Sequence, residues 1–233
     1  MIVNPVREQP AAAPPEHRPS ESALVPVLLI LTFVTGLVDA TTYLALGHVF
    51  AANMTGNIVL LGFALAGAGN ISAAASLVSL AAFLIGSAAG GVLARNLETD
   101  RRRWVGIALG VETVGLCLAA VSAALALSGC AIVAVLALAM GVRNATVRRL
   151  GVPDLTTTVL TMTLTGLGAD LLDGRRLRPT LRRRIGSVLA MLIGALIGAL
   201  LLTYALFAPL ALAGLLLVLT TGGFLFVRRT HAS

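Results

Sequence analysis

Two carboxylates fall where water is scarce. Asp39, in "GLVDATTYLALG" (36–47), and Glu112, in "ALGVETVGL" (108–116), each interrupt a long apolar run. A charge placed mid-helix in a bilayer costs on the order of 2.5–3.5 kcal/mol on insertion scales, so such a group faces a bundle interior, a cavity or a partner. The chemistry open to it is proton or cation coupling; an interhelical hydrogen bond is the plainer alternative, and the residue types do not choose. Thr35, Thr41 and Thr42 share a run with Asp39 and could solvate it, whereas Glu112 has Thr113 beside it and little else. Arg143, next to Asn144, stands close to the end of another apolar run. Snorkelling of its head group to the interface is the simpler reading; a carboxylate partner or an anionic substrate is the other.

A second set of residues is polar and neutral. "GHVFAANMTGN" (47–57) lies between apolar stretches and contains no Lys, Arg, Asp or Glu. Asn53 and Thr55 are helix N-cap types, and Gly56 permits a close approach or an unusual turn. "PDLTTT" (153–158) has the same character, with Asp154 as the cap and Thr157 and Thr158 after it. Non-helical backbone is tolerated at membrane depth only in protein or beside water. Short helices starting there would aim free N–H groups and positive dipole ends into a shared cavity; caps at the membrane surface are the competing reading. On the first view Asp39, Asn53, Thr55, Asn57, Asn144, Asp154, Thr157 and Thr158 form a substrate or ion site, with Glu112 as a coupling carboxylate. Two helix N-termini favour an anion, but Asp154 partly cancels that field, so polar neutral solutes, protons and small organic acids all stay open.

Catalytic and metal chemistry find little support. His17, His48 and His231 are scattered, Cys117 and Cys130 have no CxxC spacing, and neither an HExxH motif nor a nucleophile–base pair occurs. No enzyme activity, metal or cofactor is expected.

The elements that must position these residues are membrane helices. The chain is 58% hydrophobic and 12% charged, with a mean hydropathy of +0.95, against about half apolar and about a quarter charged in soluble domains. Measured against the roughly 20 residues a spanning helix needs, six apolar runs are long enough: 24–46, 72–95, 104–127, 130–149, 185–205 and 208–227. Two, 54–69 and 155–172, are short. If all eight crossed, Arg95, Arg101, Arg102, Arg103, Arg143, Arg148 and Arg149 would lie outside. If the two short ones are re-entrant, all 17 basic residues, every one an Arg, are cytoplasmic, which the positive-inside bias favours. The net charge of +7 therefore reads as topology anchoring and not as a nucleic-acid surface. Both termini are expected in the cytoplasm of a plasma (inner) membrane protein, with residues 1–22 and 229–233 as tails, the first of them disordered. The polybasic stretch Arg175–Arg184 could also attract anionic lipid, and Trp104 reads as an interfacial anchor.

The chain also resembles itself. Gly36 lines up with Gly141, Asp39 with Asn144, Ala40-Thr41 with Ala145-Thr146, Gly47 with Gly151 across a one-residue gap, and Thr55 with Thr158 across a second. "LIGSAAGG" (84–91) matches "LIGALIGA" (192–199). Each half, 23–127 and 128–228, would be span, hairpin, span, span. Three spans is an odd number, so the second half would insert upside down, the inverted architecture of many transporters and channels. Gly86/Gly90 and Gly194/Gly198 have GxxxG spacing and allow close helix crossing, within one chain or in an oligomer.

The segments "VTGLVDATTYLALGHVFAANMTGNIVLLG" (34–62) and "MGVRNATVRRLGVPDLTTTVLTMTLTG" (140–166) resemble the two most recognisable stretches of the YoaK family of bacterial membrane proteins, the domain of unknown function 1275. The resemblance runs over about 24–227. It implies a multi-pass inner-membrane protein and no particular substrate. The sequence thus predicts an all-α integral membrane protein of about six transmembrane helices plus two short re-entrant half-helices in an inverted 3+3 repeat. Its expected role is a transporter or channel for a small polar solute or ion, with a membrane scaffold or accessory subunit as the alternative.

Overall fold

The computed structural model describes residues 21–69, 71–151, 160–172 and 179–226. These residues form eight helices and no strand: α1 (Glu21–Ala45), α2 (Met54–Leu65), α3 (Ala73–Asn96), α4 (Arg101–Ala124), α5 (Gly129–Leu150), α6 (Leu160–Leu172), α7 (Pro179–Leu202) and α8 (Phe207–Phe226). All but α2 and α6 are long and apolar enough to cross a membrane, six helices in all. With 12 and 13 residues, α2 and α6 rise only about 18–20 Å, well short of the ~30 Å hydrocarbon layer. The chain is an all-α multi-pass membrane protein whose outer helix faces, such as Leu84, Ile85, Leu192 and Leu196, are exposed and apolar and contact lipid.

Local signals set the helix ends. Asn53 caps α2 through Gly56 N (3.2 Å), Ser72 caps α3 through Ala75 N (3.1 Å) and Asp100 caps α4 through Arg103 N (2.9 Å), each satisfying a donor with no partner inside its helix. Gly151, at φ 63°, closes α5 in the left-handed conformation.

The helices α1 and α5 are the two most enclosed spans. α7 packs along α1 and α3 along α5, while α4 and α8 pack on each other, α4 also on α5 and α8 also on α1. Glycine makes the first two contacts possible. A Cβ on Gly194 would overlap the carbonyl of Phe33, and one on Gly198 would lie 3.1 Å from Leu37 O and from the Ala40 methyl. At the other seam, a Cβ on Gly86 would overlap the carbonyl of Leu138, and one on Gly90 would lie 2.9 Å from Val142 O and 3.0 Å from the Ala145 methyl. The approach is mutual, since Gly36 abuts the backbone of Met191–Ala195 and Gly141 abuts that of Phe83–Ser87. Residues that align between the halves, Gly36 with Gly141 and "LIGS" with "LIGA", therefore make equivalent contacts. The seam of α4 with α8 is looser: a Cβ on Gly106 or Gly214 would be in ordinary van der Waals contact with the side chains of Leu225 and Cys117, and the hydroxyls of Thr113 and Thr221 meet at 3.1 Å between them.

Trp104 is not an interfacial anchor. It is 6% exposed and part of the core formed by α1, α4, α5 and α8, because α8 covers the first turns of α4; Arg102 Nη2 donates to Phe224 O (3.3 Å) over that contact. Cys117 and Cys130 are both exposed and unbonded.

Candidate functional site

The "GHVFAANMTGN" stretch turns part of its backbone into the protein. After α1, Gly47 (φ 98°) and His48 (φ 56°) reverse the chain, and Val49, Ala51 and Ala52 are buried. A loop buried like this has to find partners for its peptide groups, and two polar side chains provide them. Asp39 Oδ1 accepts from both Ala51 N and Ala52 N at 3.0 Å. Asn57 Oδ1 accepts from Phe50 N (2.8 Å), and its Nδ2 donates to Phe50 O (2.7 Å) and to Ser79 Oγ (3.0 Å). Ser79 Oγ in turn donates to Phe50 O (2.7 Å). Gly56 is required here because the Phe50 ring would lie 2.9 Å from a Cβ at that position, and the ring stacks on Tyr43 with centroids 5.0 Å apart.

Four of the residues expected to form a substrate site thus divide by job. Asp39 and Asn57 converge on one loop and use their hydrogen-bonding capacity on its backbone, Asn53 caps α2, and Thr55 is exposed. Asn144 is half-buried on α5, next to Arg143. Asp154, Thr157, Thr158 and the stretch 173–178 lie outside the described residues; of the polybasic loop, Arg184 rests against Gly166, where α6 meets α7. α2 packs on α3, and α6 on α7.

Glu112 finds its partner on another helix. Arg143 does not snorkel: it lies about 10 Å from the end of α5 at 1.5 Å per residue and is buried, and its Nη1 donates to Glu112 Oε1 at 2.9 Å. The same Nη1 donates to Leu31 O (3.1 Å), and Nη2 donates to Thr35 Oγ1 (2.6 Å), whose own proton goes to Leu31 O (2.9 Å). One guanidinium thereby ties α5 to α4 and α1. Side-chain exposure is 2% for Arg143 and 0% for Glu112, so the pair sits in a low-dielectric interior where neither charge is stable alone.

The pairing leaves polar capacity over. Glu112 Oε2 and Arg143 Nε are buried and without a hydrogen-bond partner. Both residues line a cavity of about 20 Å³ between α1, α4 and α5. Its other walls are aliphatic apart from Thr146, and it extends past Leu31 and Leu109 to Leu24, Val105 and Leu150. These last three mark the bundle end that carries Arg101, Arg102, Arg103, Arg148 and Arg149. Arg101 Nη2 donates to Leu150 O at 3.1 Å, fastening α4 to α5 at that end.

Sequence reasoning prefers snorkelling for Arg143 and keeps a carboxylate partner only as the alternative, without saying which carboxylate. A signal for the pairing existed: Arg143 is a cation within an apolar run, and the two carboxylates within spans were its natural counter-charges. Choosing between them required the helix packing.

Residues 27–223 match the model of a family described as "Protein of unknown function (DUF1275)". The chain is also 33% identical over 190 residues to "UPF0700 transmembrane protein YoaK" of Bacillus subtilis (strain 168), an alignment covering 75% of this chain and 82% of that protein. No solved structure matches the chain.

Proposed function

This chain belongs to the DUF1275 family of membrane proteins, and from that premise we propose that it is a transporter that carries a small solute past the Glu112–Arg143 pair. The observation that carries the reading is the pair itself, a buried cation and anion with unused hydrogen-bonding atoms, on two residues that line a cavity. Ionisable groups inside a membrane bundle are expensive and mark pathways for ions and substrates. The setting agrees with this. The pair joins α1, from the first half, to α5, from the second, and the halves make matching glycine contacts at both seams. We read them as an inverted-topology pair with both termini in the cytoplasm, rocking about the Thr113–Thr221 contact. The repeat places Val38 opposite Arg143 and Thr220 opposite Glu112, so the charged site is single and not doubled by the repeat.

Two experiments test this. With Cys117 and Cys130 removed, single cysteines at Ala68, Thr99 and Ser128 are labelled in intact cells with an impermeant thiol reagent. Labelling at Ala68 and Ser128 with protection at Thr99 is expected; the opposite pattern means that α2 crosses the membrane and removes the inverted arrangement. Proteoliposomes are then challenged osmotically with glycerol, urea, formate or acetate and followed by stopped-flow light scattering. Faster solute entry than in empty vesicles supports a carrier.

A scaffold or accessory subunit is the second reading. What favours it is that Asp39 and Asn57 spend their polar atoms on their own loop. No accelerated entry of any solute, together with a stable partner recovered in mild detergent, would select it.

A further inference from the structure

The leftover atoms of the Glu112–Arg143 pair have a shape and a sign. Nε is a donor that belongs to a cation, Oε2 is an acceptor that belongs to an anion, and the two residues that carry them line the same cavity, against which both atoms are at present covered. An unpartnered buried polar atom is costly, and two of them on one ion pair mark a place that takes a polar guest. At about 20 Å³ the space exceeds the roughly 10–15 Å³ that a single water requires. It admits a guest of one to a few heavy atoms and nothing larger without movement.

We propose that this pair is a proton-linked binding site for a small monovalent anion of chloride or formate size, a deepening that rests on the transporter reading above. In the empty state the carboxylate of Glu112 neutralises Arg143. When a proton from water adds to Glu112, the charged N–H···O⁻ bond to Oε1 is lost and the guanidinium N–H groups turn to the incoming anion. One proton and one anion enter together, no covalent bond other than O–H forms, and the net charge of the site is zero before and after. An anion entering alone would leave two negative charges against one positive in an interior that cannot solvate the excess. Neutrality therefore couples the two ligands.

The surroundings agree. From α5 the charged group facing Glu112 is Arg143; from α1, Asp39 feels the charge of Arg143 while its Oδ1 is held by Ala51 and Ala52. α8 carries no ionisable side chain, and on α3 the only one is Arg95 in the last turn. Arg101, Arg102, Arg103, Arg148 and Arg149 collect at the far end of the cavity, where they draw anions toward the mouth.

The test uses the purified full chain in nanodiscs, in weakly buffered solution with a pH-indicating dye, titrated with sodium formate or sodium chloride against sodium sulfate. The expected result is uptake of about one proton per anion bound, with affinity falling about tenfold per pH unit as linkage requires, and no uptake with sulfate. Glu112→Gln, a permanent mimic of the protonated state, should bind formate without proton uptake and without pH dependence, and its melting temperature should rise with formate as bound ligand requires. The double variant Arg143→Met/Glu112→Leu should show neither signal. Anion binding by the wild type without proton uptake, a wild-type pH dependence retained in Glu112→Gln, or no anion response in either protein overturns the site. The readout needs no vesicle, so loss of binding with continued entry of glycerol or urea into proteoliposomes sinks the anion site alone. Proton-linked binding with no solute flux sinks the transporter reading instead.

Discussion

Replacing Arg143 with Met removes three hydrogen bonds at once, to Glu112 Oε1, Leu31 O and Thr35 Oγ1. Of these losses only the first is expensive. Leu31 O keeps the Thr35 hydroxyl (2.9 Å), and Thr35 keeps its donor role, whereas Glu112, at 0% exposure, is left as an uncompensated charge. Breaking a buried pair from one side typically costs about 3–5 kcal/mol. Glu112→Leu strands the guanidinium on two neutral acceptors and should cost a similar amount. Arg143→Met/Glu112→Leu, which removes both charges and fills the space with apolar atoms, should return to within about 1 kcal/mol of the wild type or exceed it, since replacing buried ion pairs by hydrophobic side chains is often neutral or stabilising. The coupling in this double-mutant cycle should therefore be several kcal/mol, far above the roughly 0.5 kcal/mol within which independent sites add. The assay is reversible unfolding in mixed micelles as the mole fraction of SDS rises, read by the helical circular dichroism and by the fluorescence of Trp104, the only tryptophan, which is buried in the core beside α8. If each single variant costs under about 1 kcal/mol and the effects add, Glu112 and Arg143 are not an isolated pair, and the proton-linked site built on them falls as well.

Three further outcomes follow from the contacts. Asp39→Leu should leave Ala51 N and Ala52 N buried and unpaired, at about 1–3 kcal/mol each, with faster hydrogen exchange across residues 49–53; Asp39→Asn, which keeps an acceptor oxygen, should lose much less, and equal exchange in both would refute the anchoring role. Asn57→Leu should release Phe50 from Asn57 while Ser79 still holds its carbonyl, so thiol labelling of a cysteine at Ala51 should rise from near zero with global stability reduced by a few kcal/mol. Gly36→Val and Gly141→Val should destabilise to a similar degree, because each forces apart one of two equivalent seams, α1 with α7 and α3 with α5. Gly91→Ala and Gly110→Ala, with nothing within 4 Å of the new Cβ, should be neutral or stabilising by about 0.5–1 kcal/mol; unequal losses at Gly36 and Gly141 would count against the matched halves.

What the sequence determined by itself was everything carried by local properties. Hydropathy and run length predict which six helices are long enough to span, and the observed α1, α3, α4, α5, α7 and α8 follow those runs to within a few residues at most ends. The extra turns at the start of α7 are an exception. The polar break at "NMTGN" marks the start of α2, and Asn53 caps it, because capping is settled within three residues. The small residues at 86, 90, 194 and 198 advertise close crossings, since only a missing side chain lets two backbones meet. The tertiary structure decided which polar group meets which. Glu112 and Arg143 are 31 positions apart on different helices, and with Asp39 also buried the counting of charges allowed either carboxylate to take the arginine. Burial of Ala51 and Ala52 assigned Asp39 to the loop, because buried peptide N–H groups need an acceptor and Asp39 was in reach. That left Glu112 for Arg143. Trp104 went the same way: its place at a helix start suggested an interface, and the crossing of α8 over α4 enclosed it. A helix and its cap are settled by neighbours along the chain, whereas the partner of a buried charge is settled by the few long-range contacts that bring α1, α4 and α5 together.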